Sequence, residues 1–340
     1  MVWLAIKSTA LLKAIKKLRK NKKMKIVILE SLGISDEALT SLSKPLSDSG
    51  HELVIYDDGK LDDETIKVRI KDAEVLVLAN TPLSGEVIDA AEKLKYISIA
   101  FTGYNHIDLE KCREKGINVS NAAGYSTNSV AELTFGLITA LLRSIVPLDA
   151  VTRAGGTKNG YRQTDLNGKT LGVIGTGDIG GAVAMLGLAY GCKIIAYNRS
   201  VNQELVNKGV EYKSLDDVLK TSDIVTLHIP LTAETKNLID KDKLALMKSS
   251  SFLINTAIGP IVDHDALAEA LHNGTIAGAG LDRVEMEPPV PTDYPILAAP
   301  NTVLLPHVGY ATDEAMVRRA EITFNNIINW QQGEQENIVI

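Results

Sequence analysis

A chain of 340 residues, 45% hydrophobic and 23% charged, has the make-up of a water-soluble globular protein and is long enough for two domains of ordinary size. No apolar run approaches the roughly 18 residues a spanning helix needs, so no transmembrane segment and no membrane partner are expected. The net charge of −6 hides an asymmetry, because residues 1–23 carry eight basic side chains and no acid; the rest is strongly acidic, which excludes nucleic acid as the expected partner.

That basic leader places Leu4, Leu11, Ile15 and Leu18 on one helical face among lysines. It reads as a start-site artefact preceding the true start at Met24, as a flexible appendage, or as an interfacial helix. From Met24 onward, β-rich runs alternate with helical segments: Lys25 to Leu29, Leu53 to Tyr56, Val75 to Leu78, Tyr96 to Ala100 and Ile117 to Val119. Alternation of this kind predicts a parallel sheet covered by helices on both faces. Ser126 to Ile145 follows, a long helix apolar on more than one side, expected in a domain interface or against another subunit. Cys112 and Cys192 lack metal-ligand spacing and read as reduced thiols of a cytoplasmic protein. His51, His264 and His272 show no ligand spacing either; they are expected to be solvated, and no metal is expected.

A second α/β series opens at Thr170 to Ile174 and continues through Lys193 to Tyr197, Ile224 to His228, Phe252 to Asn255, Ala277 to Leu281 and Thr302 to Leu305. A last helix, Ala311 to Trp330, closes the pattern. The first strand of this series runs into Gly175-Thr176-Gly177-Asp178-Ile179-Gly180 and then a helix, the context that gives a GxGxxG motif its meaning. The first glycine permits the turn, the second lets the backbone approach a pyrophosphate, and the third lets helix and strand pack closely. The next strand ends in Asn198-Arg199-Ser200, without the acidic residue that would hold the ribose 2′-hydroxyl of NAD. A guanidinium suits a 2′-phosphate, so NADP(H) is the first expectation and NAD(H) the alternative.

An ordered series of further motifs resembles the D-isomer-specific 2-hydroxyacid dehydrogenases, the group containing glycerate and hydroxypyruvate reductases: Phe101 to Asp108, Tyr125 to Glu132, Leu227-His228-Ile229-Pro230-Leu231-Thr232, Gly278 to Asp282 and Leu305 to Gly309. The resemblance implies two Rossmann-like or flavodoxin-like α/β domains with parallel sheets and an active site in the interdomain cleft. A discontinuous substrate domain, 24–122 plus 307–340, would flank a dinucleotide-binding domain, 123–306. It further implies a homodimer and a small 2-keto acid or related carbonyl substrate. His307 matches the general acid that protonates the carbonyl oxygen, and Glu287 the carboxylate that orients the imidazole and favours its protonated form. His228, Pro230, Thr256, Ala257 and Asp282 join Gly175, Gly177, Asp178, Ile179 and Gly180 in the implied cofactor site. The amides of Thr102 and Gly103 resemble the cradle for a substrate carboxylate.

One position departs from the family. The strand ending Asn255-Thr256-Ala257 is followed there by an arginine that grips the substrate carboxylate, and here by Ile258. Hydrogen bonds to a charged group are worth roughly 1.5 to 3 kcal/mol each, so losing a two-pronged grip costs about 3 to 6 kcal/mol. Three readings follow: a reductase whose substrate is held differently, a slow enzyme whose substrate differs, or a dinucleotide-sensing scaffold. Arg283, where the family usually has an apolar residue, is a candidate replacement cation, with a surface ion pair to a nearby glutamate as its alternative. Substrate contacts are also open to Tyr104, Tyr161 and Tyr310, although surface or packing roles are the first expectation for each.

Overall fold

The computed structural model describes residues 23–287 and 289–340, so the basic leader lies outside the described residues except for Lys23. Two compact units emerge: one comprises residues up to Tyr125 together with Asp313–Ile340, the other Ser126–Thr312.

The first unit runs β1 (Lys25–Ile28), α1 (Asp36–Asp48), β2 (Glu52–Ile55), α2 (Asp63–Ile70), β3 (Val75–Leu78), α3 (Gly85–Ala90), β4 (Tyr96–Ile99), α4 (Leu109–Lys115) and β5 (Asn118–Asn121). Its strands form one parallel sheet in the order β2-β1-β3-β4-β5. Every residue of β3 and β4 is buried, as continuous apolar runs in a sheet covered on both faces require. Alternation along the strands splits the core in two. Val27, Leu76 and Ile97 pack with Ile66, Ile70 and Ile88, while Ile26, Ile28, Val75 and Val77 pack with Phe324 and Ile327 of the terminal helix Asp313–Gln332. Ser35, Asp62, Ser84 and Asp108 each cap a helix by accepting a first-turn amide, which fixes where the helices begin.

The second unit begins with α5 (Thr127–Leu142) and α6 (Ile145–Arg153), then β6 (Thr170–Ile174), α7 (Asp178–Ala189), β7 (Lys193–Tyr197), α8 (Gln203–Asn207), β8 (Glu211–Tyr212), α9 (Leu215–Thr221), β9 (Ile224–Leu227), α10 (Lys241–Leu246), β10 (Phe252–Asn255), α11 (His264–His272), β11 (Gly278–Leu281) and β12 (Thr302–Leu304). Its seven parallel strands are ordered β12-β11-β10-β9-β6-β7-β8.

Helix α5 packs Ala131, Phe135, Leu137 and Ile138 with Leu171, Val173 and Ile254 of its own unit's sheet. Several expectations are corrected here. His51 and His264 are buried rather than solvated. His51 accepts the Met24 amide and meets Gln331, while His264 meets Tyr294 and accepts the Glu285 amide. Boundaries expected at 122/123 and 306/307 compare with compact units that divide at 125/126 and 312/313. The second difference has a local cause: His307, Val308 and Gly309 remain hydrogen-bonded to Asp282, which places His307 in the second unit. Both cysteines are free and buried. Among the described residues no single helix is long and apolar enough to cross a membrane.

Candidate active site

In the second unit the chain leaves β6 for β7 and β8 on one side, then returns to build β9 to β12 on the other. Such a reversal opens a crevice at the carboxyl ends of the adjacent strands, here β6 and β9. Gly175 turns there at φ +93°, its amide donating to the Tyr197 carbonyl at 2.8 Å. A Cβ on Gly175 would stand 2.4 Å from the His228 carbonyl oxygen, and one on Gly180 would stand 1.8 Å from that of Gly175. The loop, the end of β9 and the first turn of α7 therefore pack backbone against backbone. Gly177 caps α7 with nothing within 4 Å of where its Cβ would lie. First-turn amides, including those of Asp178, Ile179 and Gly180, have no carbonyl one turn back within the helix. Open ground beside orphan donors at a helix N-terminus fits a pyrophosphate.

Tyr212, which belongs to no motif in the sequence, lies on the two-residue strand β8. Its hydroxyl donates to Thr176 Oγ1 at 2.8 Å and accepts the Asn202 amide at 3.2 Å, tying the glycine loop to the segment after β7. In that segment Asn198 Nδ2 donates to the Ser200 carbonyl at 2.9 Å, and Arg199 is exposed. Arg199 does have a carboxylate in its field: Glu234 is held below the usual range mainly by the Thr232 hydroxyl and to a lesser degree by Arg199. His228 meets Thr226 Oγ1 at 2.9 Å, and burial pushes its pKa down to about 3, so its ring is neutral. Pro230 follows at the surface.

The ends of β10 and β11 carry the second group. Thr256 Oγ1 lies 2.9 Å from Thr134 Oγ1 of α5, and Asn255 fixes the turn by accepting the Ala257 amide and donating to the Ile258 carbonyl. Ile258 is extended and half-buried against the apolar core. Strand β11 ends at Leu281, so Asp282 and Arg283 are not bound to opposite faces by the strand period.

Asp282 is 2% exposed and organises the segment that carries His307. Its carbonyl accepts the His307 amide at 2.6 Å, and its carboxylate accepts those of Val308 and Gly309, each at 2.8 Å. His307 is thereby held at φ +60°. Its Nδ1 lies 3.1 Å from Glu287 Oε2, and the edge of one ring meets the face of the other between His307 and Tyr310, at 5.0 Å between centroids. Arg283 Nη2 pairs with Glu287 Oε1 at 2.5 Å. The guanidinium thus engages the very glutamate that meets His307.

In the first unit, Thr102 and Gly103 follow β4 at the surface, and neither amide donates to another described residue. Asn121 Nδ2 holds the Thr102 carbonyl at 2.7 Å. Glu30, beyond the end of β1, went unremarked in the sequence. Its Oε1 accepts the amides of Ala79, Asn80 and Thr81 and the Thr81 hydroxyl, at 2.6 to 3.1 Å. Tyr104 and Tyr161 are both exposed. Among the described residues no cluster of three or more His, Cys, Asp or Glu side chains is placed to hold a metal ion.

The family model for the NAD binding domain of D-isomer specific 2-hydroxyacid dehydrogenases matches residues 135–309. A glyoxylate reductase of Thermofilum pendens is 43% identical over 274 residues, covering 78% of this chain and 80% of that one. Two solved structures are similar over 93% of this chain. An acyclic imino acid reductase in complex with NADPH and D-Arg superposes with a TM-score of 0.81 at 30% identity and is covered over its whole length. D-lactate dehydrogenase from Aquifex aeolicus, complexed with NAD and lactic acid, superposes with a TM-score of 0.78 at 33% identity and is covered over 98%.

Proposed function

Because the chain belongs to the D-isomer specific 2-hydroxyacid dehydrogenase family, and is therefore an oxidoreductase of the CH–OH group with a nicotinamide cofactor, we propose that it reduces a 2-keto acid or related carbonyl with His307 as proton donor. The observation that carries this reading is the His307–Glu287 contact on a backbone pinned by Asp282. When bound, the nicotinamide supplies hydride to the carbonyl carbon. With Nδ1–H donating to Glu287, Nε2 is the nitrogen that hands a proton to the carbonyl oxygen. The ring keeps 22% of its side-chain surface exposed, which lets solvent restore that proton. A proton-transfer pair has no use in a dinucleotide-sensing scaffold, so its presence favours turnover.

Around this pair we place the cofactor against Gly175 to Gly180, His228, Pro230, Thr256, Ala257 and Asp282. NADP(H) is preferred over NAD(H) through Asn198, Arg199 and Ser200. The amides of Thr102 and Gly103 receive the substrate carboxylate. Ile258 adds an apolar wall, so a second anionic group on the substrate is disfavoured and phosphorylated or dicarboxylic keto acids are poor substrates. Two copies of the chain pair as a homodimer.

The test is oxidation of NADPH and NADH by the purified protein against 2-keto acids, their amides and esters, and simple aldehydes, beside His307→Gln and Ile258→Arg. Turnover with NADPH favoured, lost by on the order of a hundredfold or more in His307→Gln, is the expected result. A His307→Gln enzyme as fast as wild type would remove His307 from the chemistry. Ile258→Arg is expected to improve the smallest keto acids.

A further inference from the structure

The function proposed above leaves Arg283 without a task, yet its geometry is specific. Glu287 is about half exposed and sits on a loop, and the described residues that engage its carboxylate are Arg283 and His307. A freely rotating glutamate must give up considerable side-chain entropy to stay there. Arg283, four residues earlier, takes Oε1 at 2.5 Å and leaves Oε2 to His307 Nδ1 at 3.1 Å. One partner on each oxygen fixes the plane of the carboxylate.

The arginine and the histidine also hang from one anchor. Arg283 follows Asp282 directly, and Asp282 binds the amides of His307, Val308 and Gly309. Arg283, Glu287, His307 and Asp282 therefore close a ring of contacts. The adjoining backbone is equally constrained: a Cβ on Gly259 would stand 1.8 Å from the Val284 carbonyl oxygen, so residues 284 and 285 lie hard against the turn that presents Ile258. Arg283 is three-quarters buried and its charge is engaged with Glu287, so it is not a loose surface cation.

We propose that Arg283 is a positioning residue: it clamps Glu287 so that the imidazole of His307 keeps Nδ1 protonated and Nε2 directed to the substrate. This rests on the reading of His307 as proton donor. It also assigns the guanidinium to the carboxylate behind the histidine rather than to the substrate.

The test compares wild type, Arg283→Val, Arg283→Lys, Glu287→Gln and the Arg283→Val/Glu287→Gln double variant on the best substrate of the panel. Arg283→Val should lower kcat on the order of tenfold, below the roughly hundredfold that an ångström of misplacement costs. KM should stay within about twofold, since an interaction acting through the proton donor is not ground-state binding. Arg283→Lys should restore most of the loss, and Arg283→Val should cost nothing further when Glu287 is already Gln. A raised KM at unchanged kcat would make Arg283 a substrate cation instead, and fully additive losses would make it mere scaffolding; either overturns the proposal.

A second readout needs no turnover. Nitrogen-15 shifts of the His307 ring should show the Nδ1–H tautomer in wild type, with that preference weakened in both Arg283→Val and Glu287→Gln. An unchanged tautomer in Arg283→Val sinks the clamp even if the enzyme works. Failure of the whole substrate panel would instead count against the reductase reading and leave the tautomer result to judge the clamp.

Discussion

A non-glycine residue at φ +60° carries a cost of order 1 to 3 kcal/mol and persists only where its surroundings over-determine it. His307 meets that condition, with three consecutive amides held by the carbonyl and carboxylate of Asp282. The neutral histidine at the end of β9 behaves oppositely. His228 has a folded pKa of about 3 because burial disfavours its charged form, whereas the unfolded chain takes up that proton near 6.5. Between those values the unfolded state binds more protons, so falling pH removes stability by up to about 1.4 kcal/mol per unit from this residue. Above the unfolded value the group imposes no such penalty. Urea unfolding at pH 7, 6, 5 and 4 should show a shallower loss in His228→Asn than in wild type; parallel curves would mean that the ring is more accessible than its packing implies.

Among the elements, the strand–loop–helix formed by β6, Gly175 to Gly180 and α7 was almost entirely legible beforehand. The run Thr170 to Ile174 has the apolar continuity of a buried strand, and glycine is demanded by contacts that follow from the motif itself. Gly180→Ala should be far worse than an ordinary helix substitution, because the added carbon would lie 1.8 Å from a carbonyl oxygen. The expected outcome is loss of dinucleotide affinity by tenfold or more, in the sense that about 1.4 kcal/mol is one decade, together with a lowered melting temperature. Unaltered affinity measured by fluorescence titration would show that the loop does not hold the cofactor. What could not be read are contacts made by distant segments. Strand β8 offers only Glu211 and Tyr212, too short for any period, although Tyr212 anchors the loop. Helix α5 shows its apolar faces in sequence but not what covers them, and part of the answer is its own sheet. His264 looked solvated because Tyr294 and Glu285, which bury it, come from 20 to 30 residues away. Arg283 stands out in the sequence, and the ion pair with a nearby glutamate weighed for it is the one it makes; that this glutamate also meets His307 depends on the course of the loop between them.

At the scale of the whole molecule, two parallel sheets of related design have acquired different tasks. The order of motifs made the two-unit plan and the family membership readable, and the discontinuity follows from the terminal helix returning to the first sheet. Each sheet reverses strand order once beside its first strand, between β1 and β3 in one unit and between β6 and β9 in the other. Both reversals therefore create a crevice of the kind that receives ligands. Among the described residues, only the second has a glycine loop with open ground before a helix N-terminus.

In the first unit, three successive amides and a hydroxyl converge on one oxygen of Glu30. Such a cup of backbone donors is an anion receptor, and this protein fills it with an anion of its own. In the first unit these donors are therefore already engaged by the Glu30 carboxylate. Calorimetric titration with NADPH should therefore count one equivalent per chain, and a value approaching two would show that the glutamate yields its place.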